Sequence, residues 1–279
     1  MTKFAIIGGS GLYNIAGVSK VKEVSINTPY GNPSDKISEL EVGGHHFYFL
    51  PRHGFGHTIS PSEINYRANI YALKTLGVDT VVSISAVGSL KEDYAPGDFV
   101  LVSQFIDWTK GLRPRTFFDN GVVGHVSVAH PINLDLRNRI SNALKGTTIN
   151  HIVGGSYLCI EGPQFSTQAE SNIYRSFGAD VIGMTNVPEA FLAREAGMAY
   201  ATVAMVTDYD CWKDQHCTVE EIMKVMSENY KSASELILKL VPDITIDPIK
   251  VESDNKYAVI TNPSLISSNQ QEIISTLLN

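Results

Sequence analysis

Residues 198–210 read MAYATVAMVTDYD, an uncharged run that ends on two carboxylates flanking a tyrosine. The run Met198–Thr207 lacks strict apolar/polar alternation, as expected of a strand covered on both faces. Similar runs stand at Phe4–Ile7, Phe47–Leu50, Val78–Ser85, Phe99–Val102 and Asp180–Met184. Helix signals lie between them. Ser60-Pro61-Ser62-Glu63, Thr167-x-x-Glu170 and Thr218-x-x-Glu221 have the spacing of capping boxes, and Asn186-Val187-Pro188-Glu189 opens a helix in the same way. After Thr218, Ile222, Val225, Met226, Ala233, Leu236, Ile237 and Leu240 keep a helical period, which Pro242 is expected to stop. Alternating strands and helices predict an α/β fold: a single domain with a central mixed, largely parallel β-sheet flanked by helices. We place the main domain at residues 1–248. Residues 249–279 read as its C-terminal appendage, with a short strand at Tyr257–Ile260 and an amphipathic helix after Pro263.

The chain has 279 residues, 43% hydrophobic and 18% charged, with a formal charge of −7. That length supports a core without disulfides or metals. The acidic balance argues against a sequence-independent grip on nucleic acid. No apolar stretch is long enough to span a membrane, and the N-terminus becomes glycine-rich too soon for a signal peptide. Cys159, Cys211 and Cys217 form no CxxC and read as reduced thiols, so a cytoplasmic protein is expected.

Polar or glycine-rich clusters recur where the apolar runs end: Gly8-Gly9-Ser10-Gly11, Arg52-His53-Gly54, Ser85-Ala86-Val87-Gly88, Met184-Thr185-Asn186 and Thr207-Asp208-Tyr209-Asp210. Carboxyl ends of parallel strands share an edge where ligands bind, so these clusters are expected to converge. Gly9-Ser10-Gly11 offers backbone N–H groups and a hydroxyl to an anion, or is simply a tight turn. It completes neither a dinucleotide fingerprint nor a P-loop. Arg52 brings a guanidinium fork suited to phosphate, beside the imidazole of His53; the plain alternative is a surface salt bridge. His53 and His57 are four residues apart, but Gly54 and Gly56 oppose a helix, so no metal site is expected. Ser85 and Ala86 read as anion donors or as close helix–strand packing. Thr185 reads as a donor and Met184 as an apolar plate or a core methionine. Asp208 and Asp210 are the strongest acid–base pair, because carboxylates sharing a low-dielectric site push one pKa upward; the alternative is an exposed acidic turn. No G-x-S-x-G elbow supports a Ser–His–Asp triad.

In combination, IIGGSGL (6–12), RHGFGHTISPSEINYRANIYALK (52–74), AVGSL (86–90), PGDFVLVSQFIDWT (96–109), IEGPQFST with Ala169 and Glu170, GADVIGMTNVPEAFLAREAG (178–197) and TDYDCW (207–212) are far more specific than any one motif. On them the chain resembles the methylthioadenosine phosphorylases, a trimeric class of the purine nucleoside phosphorylase superfamily, over most of residues 5–240. The resemblance implies a phosphate site of Ser10, Arg52, His53, Ser85, Ala86 and Thr185. Met184 would line the ribose, and Asp208, Asp210 and Ser166 would face the purine; Ser166 also stands just before the Thr167 cap. Val219 and Ile222 would form the apolar wall around the 5′ group, with His125 nearby. The segment from Asp214 to Thr218 is shorter than usual for the family, and the tail beyond about Pro248 departs from it.

The implied activity is phosphorolysis of S-methyl-5′-thioadenosine to adenine and 5-methylthioribose 1-phosphate, with phosphate as co-substrate, no cofactor and no metal. Asp208 and Asp210 would be catalytic, and the enzyme a cytoplasmic homotrimer binding a nucleoside and phosphate. Asp at 208 and Ser at 166 favour adenine, since a carboxylate accepts from its amino group whereas a 6-oxo group needs a donor. The alternative substrates are adenosine and 6-oxopurine nucleosides such as inosine, guanosine or methylthioinosine. A nucleotide-binding module without catalysis and a nucleosidase using water are the further rivals.

Overall fold

The structure is a computed structural model that describes residues 4–12, 15–213, 218–251 and 255–278, with Ser10 described by its backbone alone. Among the described residues, eleven strands form one mixed sheet. The buried strand β1 (Phe4–Gly8) lies parallel to β4 (His45–Pro51) on one side. On its other side it pairs with the first half of β5 (Thr80–Ser89). Strand β11 (Ala199–Asp208) runs parallel to β5 from Thr80 to Gly88. These strands are the valine- and isoleucine-rich runs, and each such side chain contributes about 1.5–3 kcal/mol when fully buried. On the β4 side, β2 (Ser19–Val24) and β3 (Ile37–Val42) extend the sheet antiparallel. On the β11 side, β6 (Phe99–Leu101) pairs antiparallel, followed by β8 (His151–Val153). The remaining strands β7 (Gln104–Trp108), β9 (Ser156–Ile160) and β10 (Val181–Gly183) are parallel to one another.

The expectation that every cluster sits at the carboxyl end of its strand holds for β1, β4 and β11; the Ser85–Gly88 cluster lies inside β5, which runs on to Ser89, and β10 is reversed. That strand runs antiparallel to β5, pairing Val181 with Ser89 and Ile182 with Gly88. β1 leaves β5 at Ser83, and β10 arrives from the opposite direction. Ile84–Val87 therefore lie in a gap between two strand ends, and that gap is the floor of the site.

Six α-helices among the described residues accompany the sheet: α1 (Tyr66–Thr75), α2 (Leu134–Leu144), α3 (Gln168–Ser176), α4 (Asn186–Glu195), α5 (Val219–Ile246) and α6 (Ser268–Leu278). Full capping boxes form at Thr167/Glu170 and Thr218/Glu221. At Ser60 the expected helix does not form. The Ser60 Oγ and N–H do bond Glu63, but they close one isolated turn, and α1 starts at Tyr66 under an Asn65 cap. Asn186 does not act as a cap either, because Val187 is extended (φ −117°, ψ 126°). Pro242 does not end α5, which continues to Ile246. The short strand expected at Tyr257–Ile260 reduces to a single bridge from Val259 to Gly124. After Pro263 the helix does form, and its Ile273 and Leu277 join the main core.

Candidate active site

A cavity of about 490 Å³ opens over the gap in the sheet. Arg52, His53, Ser85, Ala86, Met184, Thr185, Ser166, Asp208, Asp210, Val219 and Ile222 all line it, although they come from distant segments. Ser10 lies outside the described side chains, while its neighbour Gly9 lines the cavity. His125 is not brought there. It is exposed, and its backbone N–H bonds the Ala258 carbonyl in the C-terminal segment.

Arg52 follows β4 and is only 1% exposed. Its fork grips Glu189 rather than opening to the cavity, with Nε to Oε2 at 2.7 Å and Nη2 to Oε1 at 2.9 Å. Nη2 also donates to the Ser83 hydroxyl and the Ile7 carbonyl, and Nη1 to the Ile84 carbonyl at 3.1 Å. The guanidinium thus plugs the gap left by the strand ends. Of its five N–H groups, one on Nη1 has no partner among the described residues and can serve a ligand. Ser83 and the Tyr200 hydroxyl complete the Glu189 shell. Glu189 was missed as a site residue in the sequence, where it reads as part of a helix start; a carboxylate amid the apolar residues of α4 was the available signal.

His53 is neutral: burial first, and the adjacent Arg52 charge second, pull its pKa down to about 4. Its Nδ1 meets the Ile59 carbonyl at 2.8 Å, and because a carbonyl only accepts, Nδ1 carries the hydrogen and Nε2 is left as an acceptor. The His57 ring stacks on it at 4.1 Å with 13° between planes. Ring lone pairs lie in plane, so stacked imidazoles do not converge on one ion, and no group of three potential metal ligands occurs among the described residues.

Across the floor, the hydroxyls of Ser85 and Thr185 stand 3.2 Å apart. Thr185 precedes α4 without capping it, which leaves its side chain available. Arg113, a second buried arginine missed in the sequence, pairs with Glu161 and donates to the Met184 carbonyl at 2.7 Å. It therefore fixes the backbone that presents Met184. The Gly9–Gly11 turn is glycine-rich for a packing reason: a Cβ on Gly11 would lie 2.0 Å from the ring of Tyr230 on α5.

At the other end, Asp208 is the last residue of β11, while Asp210 sits beyond it with a left-handed φ of 51°. Strand alternation therefore does not bring them together; the turn does, and a Cβ on Gly88 would lie 3.4 Å from both. Burial raises both pKa values. Asp208 accepts from the Thr207 hydroxyl at 2.6 Å and from the Asp210 N–H at 2.8 Å, bonds that partly offset its burial. The Ser166 hydroxyl is buried without a partner. Val219, Ile222, Met223, Met226 and Tyr230 share one face of α5 and form an apolar wall. The site thus has hydroxyl and N–H donors at one end and two carboxyls at the other.

The family model of the phosphorylase superfamily matches residues 3–242. The chain belongs to the phosphorylase superfamily. Its relatives within that superfamily include an S-methyl-5′-thioadenosine phosphorylase of Hyperthermus butylicus, 53% identical over 88% of this chain and 90% of that protein. Among solved structures, a methylthioadenosine phosphorylase from an antarctic soil metagenomic library has a TM-score of 0.93 at 44% identity, covering 100% of this chain and 99% of its own. The methylthioadenosine phosphorylase of Schistosoma mansoni in complex with adenine has a TM-score of 0.83 at 39% identity, covering 88% of this chain and 93% of its own.

Proposed function

We propose that the protein is a pentosyltransferase that phosphorolyses S-methyl-5′-thioadenosine to adenine and 5-methylthioribose 1-phosphate. The observation that carries this reading is a single cavity with anion donors at one end and carboxyls of raised pKa at the other. A phosphate oxygen attacks C1′ as the C1′–N9 bond breaks, and its electron pair passes to the purine. Ser85, Thr185, the Ser10 hydroxyl, the remaining Arg52 N–H and backbone amides hold the anion against the developing sugar cation. Arg52 and Glu189 neutralise each other, so much of the anion's stabilisation comes from dipoles. His53, with Nε2 bare, accepts a hydrogen bond from a phosphate hydroxyl or takes a proton when the dianion enters. Asp208, protonated or sharing a proton with the base in the nucleoside complex, gives that proton to purine N7, Asp210 orients the base, and the unpartnered Ser166 hydroxyl bonds the purine. General acid assistance supplies about 10²–10⁴-fold.

The apolar face of α5, from Val219 and Ile222 inward, suits a methylthio group better than a hydroxyl, by about 1–3 kcal/mol. Adenosine is then a weaker substrate, and 6-oxopurines meet an acceptor where they need a donor. Phosphate serves as second substrate, so the chemistry calls for no metal or cofactor. We infer a homotrimer acting in the cytoplasm; no helix of the described residues is long and apolar enough to cross a membrane. His125, exposed on its own chain, then serves a neighbour's 5′ pocket across an interface. The test is release of the free base (adenine from methylthioadenosine and adenosine, hypoxanthine from inosine), with and without phosphate. Phosphate-dependent release that is fastest from methylthioadenosine is expected; release in phosphate-free buffer would make the protein a nucleosidase.

A further inference from the structure

Tyr157, the second residue of β9, is fully buried, and its hydroxyl has no hydrogen-bond partner. A buried donor without an acceptor is costly and calls for a reason. The hydroxyl lies against the Gly183 backbone, where a Cβ would sit 2.0 Å from it, and Gly183 itself lines the cavity. The Ser85 and Thr185 hydroxyls and the Thr185 amide are near enough to ease the phenol's ionisation, yet none meets it in hydrogen-bond geometry. Burial outweighs them and pushes its pKa up to about 12, so the group is a donor at neutral pH.

The Ser85 and Thr185 hydroxyls share a hydrogen bond at 3.2 Å, and the Ser85 hydroxyl also has the Ala86 carbonyl as an acceptor at 3.3 Å. A tetrahedral anion requires both to turn their hydrogens toward it, which breaks that mutual bond and leaves oxygen lone pairs facing away from the ligand. The Tyr157 O–H is the donor placed to fill them.

We propose that Tyr157 is a positioning residue for the anion end of the site: it donates to the Ser85–Thr185 hydroxyl pair when phosphate binds and holds both protons aimed at the ligand. The inference deepens the phosphorolysis reading above and rests on its phosphate site.

The test is Tyr157→Phe, which removes the hydroxyl and little else. Inorganic phosphate binding to the free enzyme is measured by calorimetry, and KM for phosphate and for methylthioadenosine are measured separately. The expected result is phosphate affinity weakened about three- to tenfold, as for loss of one hydrogen bond. KM for methylthioadenosine stays unchanged, and the melting temperature is equal or higher, because an unpartnered polar group has gone. In a Ser85→Ala background the same substitution weakens phosphate binding less, since the shared partner is absent. Unchanged phosphate affinity overturns the proposal, as does a parallel loss for both substrates with a lowered melting temperature. If the wild type binds phosphate and releases no adenine, the phosphorolysis reading fails while the calorimetric comparison still decides the role of Tyr157.

Discussion

Asp208 shows how a single residue trades stability for chemistry. Its folded pKa lies above the unfolded value, so folding disfavours the carboxylate; the cost stands at neutral pH and disappears as pH falls through the folded pKa. Asp208→Asn should therefore raise the melting temperature at pH 7 while lowering adenine release about 10²–10⁴-fold and improving relative use of inosine. A less stable or fully active variant would contradict the assignment. His53 carries the opposite sign. Its folded pKa of about 4 is below the ordinary imidazole value of 6.5, so its contribution is full above 6.5 and is lost as pH falls toward 4. Calorimetric melting of His53→Gln should therefore decline less than wild type between these values. The residue types of the site were legible in the sequence because chemistry limits what binds an anion or protonates a base. Their hydrogen-bond commitments were not: nothing around Arg52 in the chain announces that Glu189, far along the sequence, occupies its fork.

At the scale of elements, apolar density located the central strands, but strand direction was hidden. Gly183–Thr185 ends a run that looks like the others, yet β10 runs against β5 and delivers Thr185 to the middle of β5 instead of to its tip. Ser60 was misread because a capping box needs a helix to cap, and the residues from Pro61 to Ile64 close only a turn before Asn65 takes over. Pro242 was misread because tertiary packing of Leu240, Val241 and Ile244 carries the helix past it. The glycine turn after β1 owes its composition to packing as well as to any ligand. Gly11→Ala should clash with the Tyr230 ring and weaken phosphate binding; adding Tyr230→Ala should restore much of it, as steady-state phosphate KM values will show. Additive losses would remove Tyr230 from the account.

For the whole molecule, the exposed side chains Trp108, Ile173 and Phe177 mark an apolar patch, in which the Trp108 and Phe177 rings lie 5.2 Å apart. Phe165, 70% exposed, lines both the cavity and a depression shared with Trp108. A surface of this kind beside a site suits a contact between copies of the chain. Sedimentation should give a trimer, and Phe177→Glu should dissociate it with loss of activity on methylthioadenosine; a fully active monomer would exclude any role for a neighbour's His125. The C-terminal segment beyond the family match is integrated through Ile273 and Leu277 and, at Val259, meets the strand of chain just before His125. That placement was beyond reach of the sequence, since it depends on contacts across half the chain.

The most direct measurement is a crystal structure with phosphate and adenine bound together. Phosphate is expected within hydrogen-bond distance of Ser85, Thr185 and His53, with adenine N7 on the Asp208 carboxyl in the same cavity. An anion bound elsewhere, or a base turned away from Asp208, would contradict it.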